Sequence, residues 1–260
     1  MQIIKLNPCT NGTRHQTNIK KSLLSKTNKL FKQSILGIKR HVGRSSVNGR
    51  ITVRHKGAGC KKKFRLIDFS DKPKNSLVLS IMYDPFRHAF IALNFDLDKK
   101  IFFRTIATKN VGPGSLQVCH NSNVELKLGN RTVLKDIPTG SILHSLSLLN
   151  RSKFVRSAGS FFQIIQKKAE SCKVRLPSGF IKEVSSNSFG TLGSVSNSQH
   201  NLIYIGKAGR NRLKGIRPFV RGIAMNPVDH PHGGRTNGGC PSVTPWGIPT
   251  KGKPTVKNKK

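Results

Sequence analysis

Residues 224–239 read AMNPVDHPHGGRTNGG, with two histidines two apart, Asp229 beside them and Cys240 just beyond. An HxH pair with a carboxylate and a thiolate is an acceptable zinc donor set, and the same groups could carry acid–base chemistry. Pro227 and Pro231 argue against both, because they favour extended backbone in which alternate residues share a face. His230 and His232 would then point together and Asp229 away. Other enzyme signals are scarce. Ten acidic residues in 260 leave few candidates for paired-carboxylate chemistry, and Asp96 and Asp98 read as turn capping. Neither GxSxG nor GxxxxGK[ST] occurs. A third chemistry engages more of the residues: a glycine-rich, proline-stiffened backbone with interspersed arginines can lie between phosphates and offer N–H donors and guanidinium forks.

The charge pattern favours that third chemistry. Lysine and arginine number 47 against 10 acids, a net charge of +37. Residues 1–67 hold no acid, residues 68–184 hold nine of the ten, and Asp229 alone follows. A chain so unbalanced repels itself until a polyanion neutralises it. Nucleic acid fits better than a membrane surface, since no amphipathic stretch carries the large aromatic anchors of an interfacial helix. No apolar run is long enough to span a bilayer. The five cysteines are scattered and never form CxxC, which points to a reducing compartment rather than to a disulfide framework or zinc knuckle.

Elements able to position such contacts sit mainly in the middle. GRITVRH (49–55) alternates, and KKKFRLIDFS (61–70) does so less cleanly. SLVLSIMY (76–83), AFIALNF (89–95) and IFFRTIA (101–107), joined by short turns, predict an antiparallel meander. VELKL (124–128), GSILHSLSLL (140–149), SFFQIIQ (160–166), CKVRL (172–176) and GFIKEV (179–184) predict a second small β unit. A short basic helix is possible over 22–36 within an otherwise extended N-terminal arm. From 185 onward the chain reads as irregular, broken by NLIYIG (201–206) and a short helix in AGRNRLKG. The expectation is an all-β protein of two small barrels: a basic arm over 1–47, barrels over 48–119 and 120–200, and a basic Gly/Pro-rich arm over 201–260. Contact candidates in the arms are Arg50, Arg54, His55 and Lys56, then Lys207, Arg217 and Arg221. In the β units Arg87 and Arg156 each precede a strand, and Phe86 and Phe90 could offer stacking faces, Phe90 being better suited to the core.

GRITVRHKGAG, YDPFRHAFIAL, VRSAGSFFQI, GKAG, GIRPFVRGIAMNPVDHPHGG and VTPWGIPTKGK occur in that order. Together, and with PCTNGTRH (8–15), they resemble the large-ribosomal-subunit protein two family over nearly the whole chain, residues 16–42 matching least. The resemblance implies an OB-type barrel followed by an SH3-like barrel, with both arms buried in large-subunit rRNA. It implies a primary rRNA binder that supports assembly of the peptidyl-transferase region, subunit association and tRNA binding, and that is not an enzyme. Arg87 and Arg156 match arginines associated with rRNA binding, and Asp229–Gly234 matches a loop that reaches toward the peptidyl-transferase centre. Asn226, His230, His232, Arg235 and Lys251 join the contact candidates on that basis. The implied partners are rRNA, neighbouring ribosomal proteins, the small subunit across the intersubunit face and nearby tRNA. No cofactor is implied beyond magnesium ions that accompany rRNA. Arg235 departs from the bacterial pattern, which continues with another glycine after HPHGG, and the long basic tail of bacterial members is missing after TKGK. The match begins within ten residues of Met1, leaving no space for a cleaved targeting segment. A composition rich in Lys, Asn, Phe, Ile and Ser fits an AT-rich organellar genome, so a mitochondrial ribosome is expected, with plastid and bacterial ribosomes as alternatives.

Overall fold

The computed structural model describes residues 3–20, 22, 24–25, 35–37, 42–120, 124–148, 150–234 and 239–252. Most of the helix expected over 22–36, and Arg235, lie outside them. The strands are β1 (Ile3–Lys5), β2 (Thr17–Ile19), β3 (Ile35–Gly37), β4 (Lys63–Arg65), β5 (Lys74–Met82), β6 (Ile91–Asp96), β7 (Phe102–Ile106) and β8 (Leu116–Cys119). They continue with β9 (Arg131–Val133), β10 (Ile142–His144), β11 (Leu146–Leu148), β12 (Arg151–Phe154), β13 (Phe162–Lys167), β14 (Ser171–Arg175), β15 (Ile181–Ser185) and β16 (Phe189–Leu192). Among the described residues the one α-helix, α1, is Ala208–Lys214. The protein is therefore all-β, as the OB-type and SH3-like expectation requires.

Ten strands form one sheet in the order β15-β14-β13-β10-β16-β9-β8-β5-β6-β7. The predicted meander is β5-β6-β7, antiparallel throughout. The second group, β9 to β16, joins the first in this sheet through one parallel pairing, Cys119 opposite Arg131, and isolated bridges join Ser70 to Arg151 and Thr108 to Val195. Each group has its own core. Leu134, Ile137, Leu143, Leu146, Phe162 and Val174 anchor the second, while Val78, Phe90, Ala92 and Ala107 anchor the first. Polar residues bridge the strands where apolar ones do not: Asn94 donates to Gln117 at 3.0 Å, and His144 hydrogen-bonds Thr108 and Ser145, each at 2.9 Å. Burial pushes the His144 pKa down to about 3, with the charge of Arg131 adding to the effect.

Four sequence expectations need correction. GRITVRH is not a strand: Ile51 and Val53 are exposed, and Thr52 and Val53 both donate to the Gly43 carbonyl in a looped turn. Its alternation marks no buried face. VELKL is not one either, because Leu126 and Leu128 stay exposed and Gly129, at φ +93°, turns the chain before β9. The segment 201–206 forms no strand, yet it is not idle, since Tyr204 and Leu202 hydrogen-bond Thr17 of β2. The stretch after 185 contains β16, a central and wholly buried strand. A side chain at Gly190 would meet Leu134, Phe162 and Leu143 at 3.2–3.5 Å, so small residues are what the core demands there.

The chain divides into two compact units. The first comprises 1–40 and 60–210, the second 41–59 and 211–260. The second unit is built from turns. Gly57 donates to Gly215 at 2.8 Å, Arg217 donates to the His55 carbonyl at 3.1 Å, and isolated bridges join Arg44 to Ile51 and Lys56 to Ile216.

Candidate nucleic-acid interface

In the first unit the contact candidates gather around one carboxylate. Asp84 follows β5, is fully buried, and accepts a hydrogen bond from the Phe86 backbone N–H at 3.1 Å. That bond closes the Asp-Pro-Phe turn, which is how an aspartate before a proline organises backbone, and the turn delivers Arg87. The Arg87 Nε lies 2.9 Å from one Asp84 oxygen, and an Arg65 nitrogen lies 3.8 Å from the other. Arg104, on β7, feels both Asp84 and Arg65. Burial is the main cause that lowers the proton affinity of Arg87; Asp84 opposes it, and the neighbouring charge of Arg156 adds to it. One carboxylate thus faces several guanidinium groups, and the charge of Arg156 reaches Arg87. A guanidinium cluster with too few anions is a phosphate receptor in its physical character.

Arg156 is held from two sides. Its guanidinium lies 4.7 Å from the centre of the Phe69 ring. The preceding Val155 adopts φ +55°, a left-handed conformation that is costly for a β-branched residue. Such strain persists only where surrounding structure enforces it, and it concentrates at functional sites. The Val155 carbonyl accepts from Ser145 at 2.9 Å, and Val155 packs against the second core. Of the two aromatic candidates, Phe86 is exposed and packs edge-on to Phe64, while Phe90 is core. Lys207, also in this unit, is exposed and lies over Gly12, tying 202–207 to the N-terminal hairpin of β1 and β2.

The second unit collects more of the candidates. Arg54, His55, Lys56, Arg217 and Asn226 line one cleft of about 610 Å³, together with Arg44 and Asp229. His55 hydrogen-bonds the Pro218 carbonyl at 3.1 Å and packs on Phe219 with ring centres 4.5 Å apart. Arg54 lies over Trp246 at 5.1 Å. Arg50 sits exposed at the Asn48–Arg50 turn, Arg221 precedes the short 3-10 turn Gly222–Ala224, and Lys251 is exposed.

The histidine loop is not extended, contrary to expectation. Asp229 and His230 donate to the Asn226 carbonyl, and Gly233 donates to His230, so residues 226–229 and 230–233 form successive turns. Pro227 and Pro231 occupy the second position of each, where a fixed φ favours turns over strands. His230 is buried, its Nδ1 accepting from the His232 backbone N–H at 3.0 Å, and the two rings lie 4.7 Å apart. A side chain at Gly222 would meet the His230 ring at 2.6 Å, so only glycine leaves that ring its place. His232 hydrogen-bonds the Pro241 carbonyl at 2.6 Å through Nε2. His230 is thus a packed hinge of the loop, and His232 its more exposed member.

Sequence reasoning did not single out Arg44, Arg65, Arg104 or the anchoring role of Asp84. The signal available for Asp84 was the Asp-Pro pair ahead of Arg87; nothing local in the sequence marks Arg65 or Arg104, and Arg104 reaches the site through the pairing of β7 with β6. Two family models match the chain: "Ribosomal Proteins L2, RNA binding N-terminal domain" over residues 32–119 and "Ribosomal Proteins L2, C-terminal domain" over 127–247. The large ribosomal subunit protein uL2m of Reclinomonas americana is 42% identical over 268 residues, covering 100% of this chain and 95% of that protein.

Proposed function

From the premise that the chain belongs to the ribosomal protein L2 family and is a constituent of the large ribosomal subunit, we propose that it binds large-subunit rRNA directly through both of its units and supports assembly of the peptidyl-transferase region, subunit association and tRNA binding. The observation that carries this reading is Arg87 held on the buried carboxylate of Asp84, which it shares with Arg65, within electrostatic reach of Arg156, in a chain with net charge +37. A cluster with surplus guanidinium groups is satisfied by phosphate. In the second unit Arg50, Arg54, His55, Lys56, Arg217, Arg221, Asn226, His230, His232 and Lys251 are the proposed contacts, with Lys207 in the first and Arg235 beyond the described residues. The protein performs no reaction of its own, and needs no cofactor besides the magnesium ions that accompany rRNA. Its place is the mitochondrial ribosome, supported by its likeness to uL2m and by its composition. Neighbouring ribosomal proteins and the small subunit are its further partners.

Salt titration of binding to an rRNA fragment tests the reading. Each neutralised phosphate contributes roughly −0.7 to −0.9 to the slope of log affinity against log salt. Arg87→Ala and Arg156→Ala should each make the slope shallower by about that amount. A wild-type affinity that barely changes with salt would refute it.

A further inference from the structure

The cleft of the second unit has a composition that diffuse phosphate binding does not require. Arg44, Arg54, Lys56 and Arg217 bring cations to it, yet Val53, Val220 and Met225 line it as well. Its volume of about 610 Å³ lies within the roughly 300–1,000 Å³ of sites that enclose small molecules. Asp229 also lines it, and Asp229 is the sole acid of a unit whose described residues hold nine lysines and arginines. Among the described residues it forms no ion pair, although cations line the same cleft. A carboxylate that leaves so many cations unused is not there to balance charge. It accepts hydrogen bonds and cannot donate them, so it suits a partner that presents N–H groups. Asn226, on the same wall, can both donate and accept.

We propose that this cleft receives a single unstacked nucleotide of the rRNA, with its phosphate on the Arg44, Arg54, Lys56 and Arg217 side and its base against Val53, Val220 and Met225. The Watson–Crick edge of the base faces Asn226 and Asp229, and the carboxylate accepts from the amino group or ring N–H that this edge presents. Sequence-specific RNA recognition takes this form, with splayed bases read on their edges. The proposal rests on the rRNA-binding reading and sharpens it from charge to base.

The test is chemical probing of large subunits that carry the full-length protein. Dimethyl sulfate reports the free edges of adenine and cytosine, kethoxal that of guanine, and a carbodiimide that of uracil. Val53→Trp fills the cleft without changing its charge, and Asp229→Ala removes the acceptor without filling it. Both variants should raise modification of one and the same unpaired nucleotide by about tenfold, the loss expected when a base gives up its stacking and edge contacts. The nucleotide should respond to the reagent that matches its base. An unchanged pattern in subunits that contain either variant overturns the proposal and leaves rRNA binding intact. A wild-type chain that is absent from large subunits and retains no rRNA defeats the binding reading itself. If Val53→Trp fails to enter the particle, Asp229→Ala decides the matter alone.

Discussion

Every buried apolar side chain among the described residues lies between Val78 and Val195, in the first unit. All six ion pairs among those residues lie there too. In the second unit Phe219 is 75% exposed, Trp246 71% and Val228 90%, and the buried side chain of note is a histidine. The two regions have similar glycine-punctuated turns but different means of holding them. The first removes apolar surface from water, worth roughly 25 cal/mol per Å², and pairs some of its charges. The second relies on backbone turns and holds one acid against nine lysines and arginines among its described residues, so its folding and its ligand cannot be separated. Segments of this kind gain their order when a partner supplies the missing interactions.

The contrast can be broken most severely at the first core. Phe162→Ala should destabilise the full chain by about 3–5 kcal/mol, read as a lower urea midpoint, whereas Phe219→Ala should leave that midpoint unchanged and weaken only RNA binding. Equal losses in the two variants would mean that the second unit has a core of its own. Asp84→Asn removes the one carboxylate shared by Arg65 and Arg87, and loss of one partner from a buried pair costs about 3–5 kcal/mol. It should also raise the salt dependence of rRNA binding, because the released guanidinium groups seek phosphate; a variant as stable as wild type would show that the arginines do not depend on Asp84.

The pH response expected in the first unit is smaller. The unfolded chain protonates His144 below about 6.5, while the folded chain keeps it neutral down to about 3. Stability is therefore complete above 6.5 and is lost as the pH falls through that window, by about 1.4 kcal/mol per unit at most. Urea midpoints should fall between neutral pH and pH 5, and a His144→Gln variant should respond less. A wild-type midpoint that is flat over this interval contradicts the assignment. The smallest effect is expected at Val155, where glycine would relieve a left-handed conformation at the cost of a core contact. Val155→Gly should leave stability within about 1 kcal/mol and lower rRNA affinity through a looser Arg156.

The comparison also explains what could be read from the sequence. The meander was legible as apolar runs between short turns, its middle strand being buried on both faces, and the strands around Phe162, Val174 and Val184 because burial on one side imposes a period of two. VELKL and GRITVRH carried similar periods without any buried face, and only the fold distinguishes them. The strand Phe189–Leu192 was hidden because its core position requires glycine and threonine among serines and asparagines. Arg87 and Arg156 were each visible as pre-strand arginines, but the electrostatic reach between them depends on packing across segments far apart in sequence. In the second unit the residue types were legible and the geometry was not, since prolines that suggested extended backbone instead sit at the second position of turns.

The central claim is that the first unit folds by burial and the second by binding. Amide hydrogen exchange of the full-length protein, alone and within the large subunit, tests it most directly. Strands such as Lys74–Met82 and Phe162–Lys167 should be protected in both states, whereas residues 42–59 and 211–252 should exchange freely alone and become protected on rRNA. Strong protection of 42–59 and 211–252 in the isolated protein would contradict the account.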